Sequence, residues 1–305
     1  MHNKLRNAID EIEKVMIGKE DVIRQIMCAM FAGGHIMMED LPGVGKTTMS
    51  LAFARVLGLN YQKITFTPDL MPQDIADYSV HCQRFHQEEE EKKTAHLLLA
   101  DEFNHSSDKI HAMVDKMMEE GKLKVGDQVT KLPDPYIVIA TQNPLDGDMR
   151  LKESQLDHFM IGVSIGYPDA ESEIRMLKSE DPASKIENLN EAMNIRDIIE
   201  IRRQVELVYV SEQIYEYIVN IATATRINQL LDMGLSPRGS IDLLKMAKSW
   251  AFMFGRDYVI PSDVSQVLLS TASHRVQLSR HAKLENRKAE QILLSVLESI
   301  PVPKA

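Results

Sequence analysis

Cysteine is scarce in this chain: Cys28 and Cys82 are the only two in 305 residues. Neither stands at a metal-ligand spacing, and one pair in a chain of this length is no disulfide framework. Both are expected to be free thiols in a reducing compartment. Long apolar runs are missing too, and none approaches the roughly 20 residues that a bilayer-spanning helix needs. The first residues lack the basic, then apolar, then small-residue order of a secretory leader. The expectation is a cytoplasmic protein with no direct membrane insertion. Net positive charge is also absent. Lys and Arg number 35 against 45 Asp and Glu, a formal charge of -10. Such a surface repels polyphosphate backbones, which disfavours nucleic acid as a partner. No internal repeat or extended low-complexity tract is present, and the charged run at residues 88–93 reads as a solvated loop or helix end.

Against those absences, 44% hydrophobic and 26% charged residues are ordinary for a globular chain, and the length fits two domains. Residues 4–31 place apolar side chains at helical spacing, interrupted at Ile17-Gly18. Residues 35–38 form a short apolar run closed by Glu39-Asp40 and a Pro-Gly turn, a strand feeding a loop. Helical periodicity follows at 47–57. Residues 61–66 and 97–100 predict two more strands, the latter apolar throughout as in a strand buried on both faces. Residues 110–120 predict a helix with Met113, Val114, Met117 and Met118 on one side, a pattern of core filling. Alternation at 121–133 around Gly126-Asp127 predicts a hairpin, and 136–141 and 160–165 predict further strands. Strands alternating with helices imply a parallel sheet covered on both faces. After Tyr167-Pro168-Asp169 only helical patterns remain, with loops near Asp181-Pro182 and at 234–237. The domain boundary is therefore expected close to Pro168.

Four segments carry chemistry. Asp40-Leu41-Pro42-Gly43-Val44-Gly45-Lys46-Thr47-Thr48 follows one predicted strand and opens a predicted helix, the context a phosphate-binding loop requires. Gly43 and Gly45 let the backbone curl so that N–H groups point at phosphate oxygens, and the helix N-terminus adds partial positive charge. Lys46 is expected to reach the β- and γ-phosphates of ATP, and the Thr47 hydroxyl to ligate Mg2+. Asp40 occupies the place of the pattern's usual first glycine. Asp101 and Glu102 end the apolar strand at 97–100. Two adjacent carboxylates there are costly without counter-charges. Joined to a phosphate loop, they read as a magnesium ligand and a water-orienting base rather than a merely polar strand end. Asn143, in Gln142-Asn143-Pro144 at the tip of the next strand, suits contact with the γ-phosphate and the attacking water, although Asn before Pro is also an ordinary turn signal. Arg238, in Ser236-Pro237-Arg238-Gly239, begins a helix in the second part. It reads either as a reporter of nucleotide state or as a solvated helix start.

The order of these pieces, with Phe66-Thr67-Pro68-Asp69-Leu70-Met71-Pro72-Gln73-Asp74, Asp101-Glu102-Phe103-Asn104, Gln155-Leu156-Asp157 and Gly166-Tyr167-Pro168 between them, resembles a MoxR-family AAA+ ATPase over nearly the whole chain. The resemblance implies a P-loop α/β domain at residues 1–168, its parallel sheet flanked by helices. A linker and all-helical lid at 169–305 would follow it. It also implies self-association into a ring, usually a hexamer, with ATP at the subunit junctions. In family terms Asn143 resembles sensor 1 and Arg238 sensor 2, and Ile17-Gly18 lies where adenine is held. Such proteins are chaperone-like remodellers of a protein client, often paired with a von Willebrand factor A domain protein.

The sequence departs from the family at three places. His158, in Gln155-Leu156-Asp157-His158-Phe159, and His105, after Asn104, stand where relatives carry arginine. The arginine at the first position resembles a finger inserted into the neighbouring subunit's site. Histidine does not reliably stay charged or fork onto phosphate oxygens. The expectation is normal ATP binding with slow hydrolysis, or a borrowed cation such as Arg150 or Lys152; the alternative is a His158 merely packed at the domain edge. The third departure is the polar, acidic segment 87–94, where relatives carry a Gly-Pro pair and an aromatic residue. An ATP-driven remodelling enzyme leads this reading. A non-hydrolysing assembly ring is the alternative. A DNA-acting motor using Lys122, Lys124 and Lys131 of the hairpin is disfavoured by the overall charge.

Overall fold

The computed structural model describes residues 1–80, 95–146, 150–178 and 182–303. Cys82, Asp181 and the segment 87–94 lie outside the described residues. Backbone contacts divide the chain into two compact units. The first comprises residues 1–26, 35–151 and 163–200, and the second residues 27–34, 152–162 and 201–305.

The first unit opens with α1 (His2–Glu13) and the first part of α2 (Glu20–Phe31), separated at the predicted Ile17-Gly18 break. Then follow β1 (Ile36–Glu39), α3 (Lys46–Val56), β2 (Tyr61–Thr65), α4 (Pro72–Val80), β3 (Leu97–Asp101) and α5 (Asp108–Glu120). The hairpin β4 (Lys122–Val125) and β5 (Gln128–Lys131) pairs antiparallel as its alternation predicts, and β6 (Ile137–Gln142) follows. α6 (Glu153–Leu156) and the first two residues of β7 (Ile161–Val163) fall in the second unit, whereas α7 (Ala170–Leu177), α8 (Pro182–Glu187) and the first half of α9 (Ile195–Glu206) fall in the first. The five-stranded sheet runs β2-β3-β6-β1-β7. β1 and β6, β3 and β6, and β2 and β3 pair in parallel.

Burial follows strand position. Every residue of β6 is buried, as are Leu97 to Ala100 of β3, whereas β2 alternates buried with exposed residues. Chains of Leu, Ile and Val that lose water on both faces are stabilised by about 25 cal/mol per Å² of apolar surface removed. No charge is tolerated until the strands end. The register then aligns those ends: Glu39 lies beside Gln142, and Thr65 beside Asp101. Methionines fill this core as expected, Met37, Met38, Met49 and Met117 being buried, while Met113 and Met118 are half-buried.

The second unit is built on α10 (Glu212–Arg226), α11 (Pro237–Met253), α12 (Pro261–Ala272), α13 (Arg280–Leu284) and α14 (Ala289–Ser299). Leu243, Met246 and Ala247 of α11, Val264 and Leu268 of α12, and Leu293 of α14 are fully buried. One feature departs from the purely helical expectation: β8 (Leu231–Met233) and β9 (Gln277–Leu278) pair as an antiparallel ribbon. Its strands are too short to show a period of two in the sequence. Cys28 is buried here, its thiol donating to the Met246 carbonyl at 3.3 Å, and burial raises its pKa to about 12. It is a packed thiol without thiolate character.

His274, half-buried, donates Nε2–H to the Phe159 carbonyl at 2.9 Å. Burial, and then the neighbouring Arg275 charge, lower its pKa from 6.5 to about 3. Between those values the unfolded chain binds a proton that the native unit excludes, so this residue's contribution to stability is present above about pH 6.5 and is lost as pH falls. A His274→Gln variant, which keeps a donor for Phe159, is expected to lose less stability than wild type between pH 6.5 and 4. Denaturant midpoints measured across that range check this, and parallel curves for the two proteins would contradict it.

Candidate active site

From the end of β1 the chain passes through Asp40 to Gly45 into α3. Gly43 and Gly45 hold φ of 86° and 98°, where any side chain would be strained. Gly45 is the N-cap of α3, so the first-turn N–H groups of that helix lack intrahelical partners beside the loop. Two cavities of the first unit meet here. A cleft of about 370 Å³ is lined by Pro42, Lys46, Thr47, Asp101, Glu102 and Asn143, with His105, Thr141, Gln142 and Asp146. A pocket of about 480 Å³ is lined by Val15, Met16, Ile17, Val44, Tyr167 and residues of α7. Gly43, Gly45 and Thr48 line both.

Asp40, standing at the usual glycine position, has a structural task. Its buried carboxylate accepts the Ser164 hydroxyl at 2.9 Å and the N–H groups of Ile165 and Gly166. A negative charge next to a phosphate loop is tolerable when its lone pairs are taken up this way. Lys46 folds back onto the loop, donating from Nζ to the Leu41 carbonyl at 3.0 Å and to that of Asp40. Burial lowers its pKa, opposed by the carboxylates of Asp40, Asp101, Glu102 and Asp146. An ammonium so placed gains from an anion entering the cleft.

The acid pair is organised by a residue that carried no role in the sequence analysis. Thr141 Oγ1 donates to Asp101 Oδ1 at 2.8 Å and accepts the Glu102 N–H at 3.0 Å. Lys63 Nζ lies 3.0 Å from the other Asp101 oxygen. Glu102 takes a left-handed φ of 56°, a conformation costing on the order of 1–3 kcal/mol and found mostly where a site needs it. Beyond Glu102, His105 donates Nε2–H to Asp146 at 2.9 Å, with its Nδ1 3.6 Å from Glu102 Oε2. Asn104 donates to the same Asp146 oxygen at 3.0 Å, and that bond, then the His105 contact, lowers the Asp146 pKa. Asn143 spends its side-chain oxygen on the Leu145 N–H at 3.1 Å, which leaves its amide nitrogen as the group available to the cleft. The Gln142 side-chain oxygen is buried in the cleft wall without a hydrogen-bond partner.

The structure thus brings Pro42 through Thr48, Asp101, Glu102 and Asn143 together, with Ile17 and Val44 on the adjoining pocket. Gly18 lines neither cavity. It packs so close to Ser172 that a Cβ would meet that hydroxyl at 2.5 Å. Arg150, offered as a substitute cation, donates to the Pro144 carbonyl at 2.7 Å, and Lys152 is the N-cap of α6. Arg238 belongs to the second unit, where its guanidinium meets His158. Sequence reasoning assigned no part to Thr141, Asp146, Met16 or the α7 residues Glu173, Met176 and Leu177, which line the pocket or cleft. Only Thr141, a hydroxyl at the end of an apolar strand, carried a local signal.

Comparison with known proteins agrees with this geometry. Residues 35–161 match the profile of the ATPase family associated with various cellular activities (AAA), and residues 223–296 that of the AAA lid domain. The uncharacterized protein YeaC of Bacillus subtilis is 37% identical over 99% of this chain and 96% of its own. Chaperone MoxR1 of Mycobacterium tuberculosis is 31% identical over 98% of this chain and 82% of its own. The solved structure of an ATPase candidate from Cytophaga hutchinsonii superposes with a TM-score of 0.86 at 30% identity, covering 99% of this chain and 96% of that one. Similarity that runs through the sheet-bearing segment and the helical segment alike admits one assignment: the chain belongs to the MoxR family of AAA+ ATPases.

Proposed function

We propose that the adjoining cavities hold one MgATP, adenosine in the pocket beside Ile17 and the triphosphate in the cleft over Gly43 to Thr48. The observation that carries this reading is the cleft itself. Uncapped helix amides, a half-buried ammonium, a hydroxyl and two carboxylates line a single cavity that glycines keep open. The donor set fits magnesium. Thr47 and Asp101 offer oxygen ligands, and no group of three or more His, Cys, Asp or Glu gathers among the described residues. A magnesium ion takes most of its six oxygens from phosphate and water, so two protein ligands suffice. The metal, when bound, would neutralise charge developing on the phosphates.

The chain's own groups would do the rest. Lys46 exchanges loop carbonyls for phosphate oxygens, a stronger, charge-assisted bond. Glu102 orients water and accepts its proton, with Thr141 holding its backbone and His105 beside its carboxylate. Asn143 offers its amide N–H to the same region. From the family resemblance, Arg238 of the second unit reports nucleotide state. The functional division follows as residues 1–168 for nucleotide binding and 169–305 for linker and lid, although α7 also lines the pocket.

The family's general activity is ATP hydrolysis, and we infer a slow intrinsic rate, because neither His105 nor His158 presents a permanent cation. The chain's action is that of a cytoplasmic, chaperone-like remodeller of a protein client, working as a hexameric ring with a von Willebrand factor A domain partner. The name of the mycobacterial relative, a chaperone, supports the remodelling part of this reading.

Two variants test the site. Lys46→Ala is expected to weaken ATP binding at least about tenfold, some 1.4 kcal/mol, in calorimetry with magnesium present. Unchanged affinity would remove Lys46 from the phosphate site. Glu102→Gln is expected to bind ATP as wild type does while its phosphate release falls on the order of 100-fold. Undiminished turnover would exclude Glu102 as the base.

A further inference from the structure

Within the second unit, the turn that follows α6 is latched to the first turn of α11. Ser236, the N-cap of α11, accepts the Gly239 N–H at 2.9 Å. The same hydroxyl donates to the Asp157 carboxylate, at 2.9 Å and 3.0 Å from its two oxygens. Asp157 also lies 3.3 Å from Nε of Arg275, a buried side chain that pairs with Asp242 at 2.6 Å. The next residue, His158, meets Arg238 with 3.1 Å between ring Nδ1 and guanidinium Nη1. A guanidinium has donors only and keeps its charge throughout the physiological range. Arg238 is therefore the donor and Nδ1 the acceptor. The imidazole in this arrangement is neutral, with its proton on Nε2.

We propose that His158 is a positioning residue for Arg238: a neutral imidazole, held in the Nε2–H tautomer, whose Nδ1 fixes the guanidinium against a turn anchored by Asp157. The functional consequence rests on the reading of Arg238 as the reporter of nucleotide state. The geometry reverses an expectation drawn from the sequence. Arginine at position 158 looks like the restoration of a missing cation and therefore of turnover. In the structure it removes one acceptor of Arg238, the Nδ1 of His158, and sets a second permanent charge beside it. Asp157, committed to Ser236 and Arg275, does not offset that charge. Histidine at 158 and arginine at 238 form a matched pair, and the slow turnover is not cured at one member alone.

The test combines spectroscopy with kinetics. Nitrogen-15 NMR of the wild-type chain near neutral pH is expected to show His158 neutral, with Nδ1 unprotonated and Nε2 protonated. Nδ1–H in that ring would overturn the proposal. His158→Asn keeps a side-chain acceptor near the Nδ1 position and is expected to lose less than about threefold in kcat. His158→Arg is expected to fall about tenfold or more, to the level of Arg238→Ala, and the double variant to fall no further, because both changes abolish one interaction. Thermal midpoints near that of wild type show that each variant folds. Turnover of His158→Arg at or above wild type, with Arg238→Ala impaired, would refute the pairing as a functional device. If Arg238→Ala turns over normally, the reading of Arg238 as a reporter fails. The NMR tautomer then decides the pairing by itself.

Discussion

A parallel strand buried on both faces can carry a charge only where it ends. In this chain β3 and β6 have no exposed residue before their last positions. The carboxylates in and beside the cleft accordingly come from a strand end or from the loop just beyond it: Asp101 and Glu102 at β3, Asp146 after β6, and Asp40 after β1 beside the cleft. Parallel register sets those ends side by side, so one sheet edge gathers acids that are far apart in sequence. The phosphate loop leaves the same edge. The affinity proposed for a metal-bound triphosphate is thus a consequence of how the sheet is buried.

Gathering so many carboxylates requires that each be answered. Asp40 is answered by the backbone of residues 165–166 and by Ser164, Asp101 by Thr141 and Lys63, and Asp146 by Asn104 and His105. These bonds leave Glu102 as the cleft carboxylate with the loosest engagement, 3.6 Å from His105. That is the condition in which a carboxylate can turn to water. Asp40 shows the opposite condition. Its charge is spent on fixing the start of the phosphate loop to the segment after β7, which explains how an aspartate is accommodated where the motif usually has glycine.

The two histidines at arginine positions follow the same logic of engagement. His105 bridges the acidic strand end and the loop after β6, while His158 cradles a guanidinium in the second unit. Neither is an incidental surface residue, and each is tied by a nitrogen that an arginine could not supply as an acceptor or could supply only with added charge. Substitution at these places is therefore a change in a network rather than the loss of one cation.

The nearly continuous apolar character of residues 97–100 and 136–141, the helical spacing of 110–120, the Gly-Val-Gly-Lys-Thr loop and the Asp101-Glu102 pair made the sheet, its flanking helices and most of the cleft legible from the sequence alone. Each is a property of neighbours along the chain, for which periodicity and turn chemistry are sufficient signals. What the tertiary structure decided lies between residues far apart: Thr141 under Asp101, residues 164–166 around Asp40, α7 along the pocket, the ribbon of β8 and β9, and His158 against Arg238. Such contacts depend on which buried faces meet and at what register, and a side chain's local sequence does not encode the distant partner that completes its hydrogen bonds.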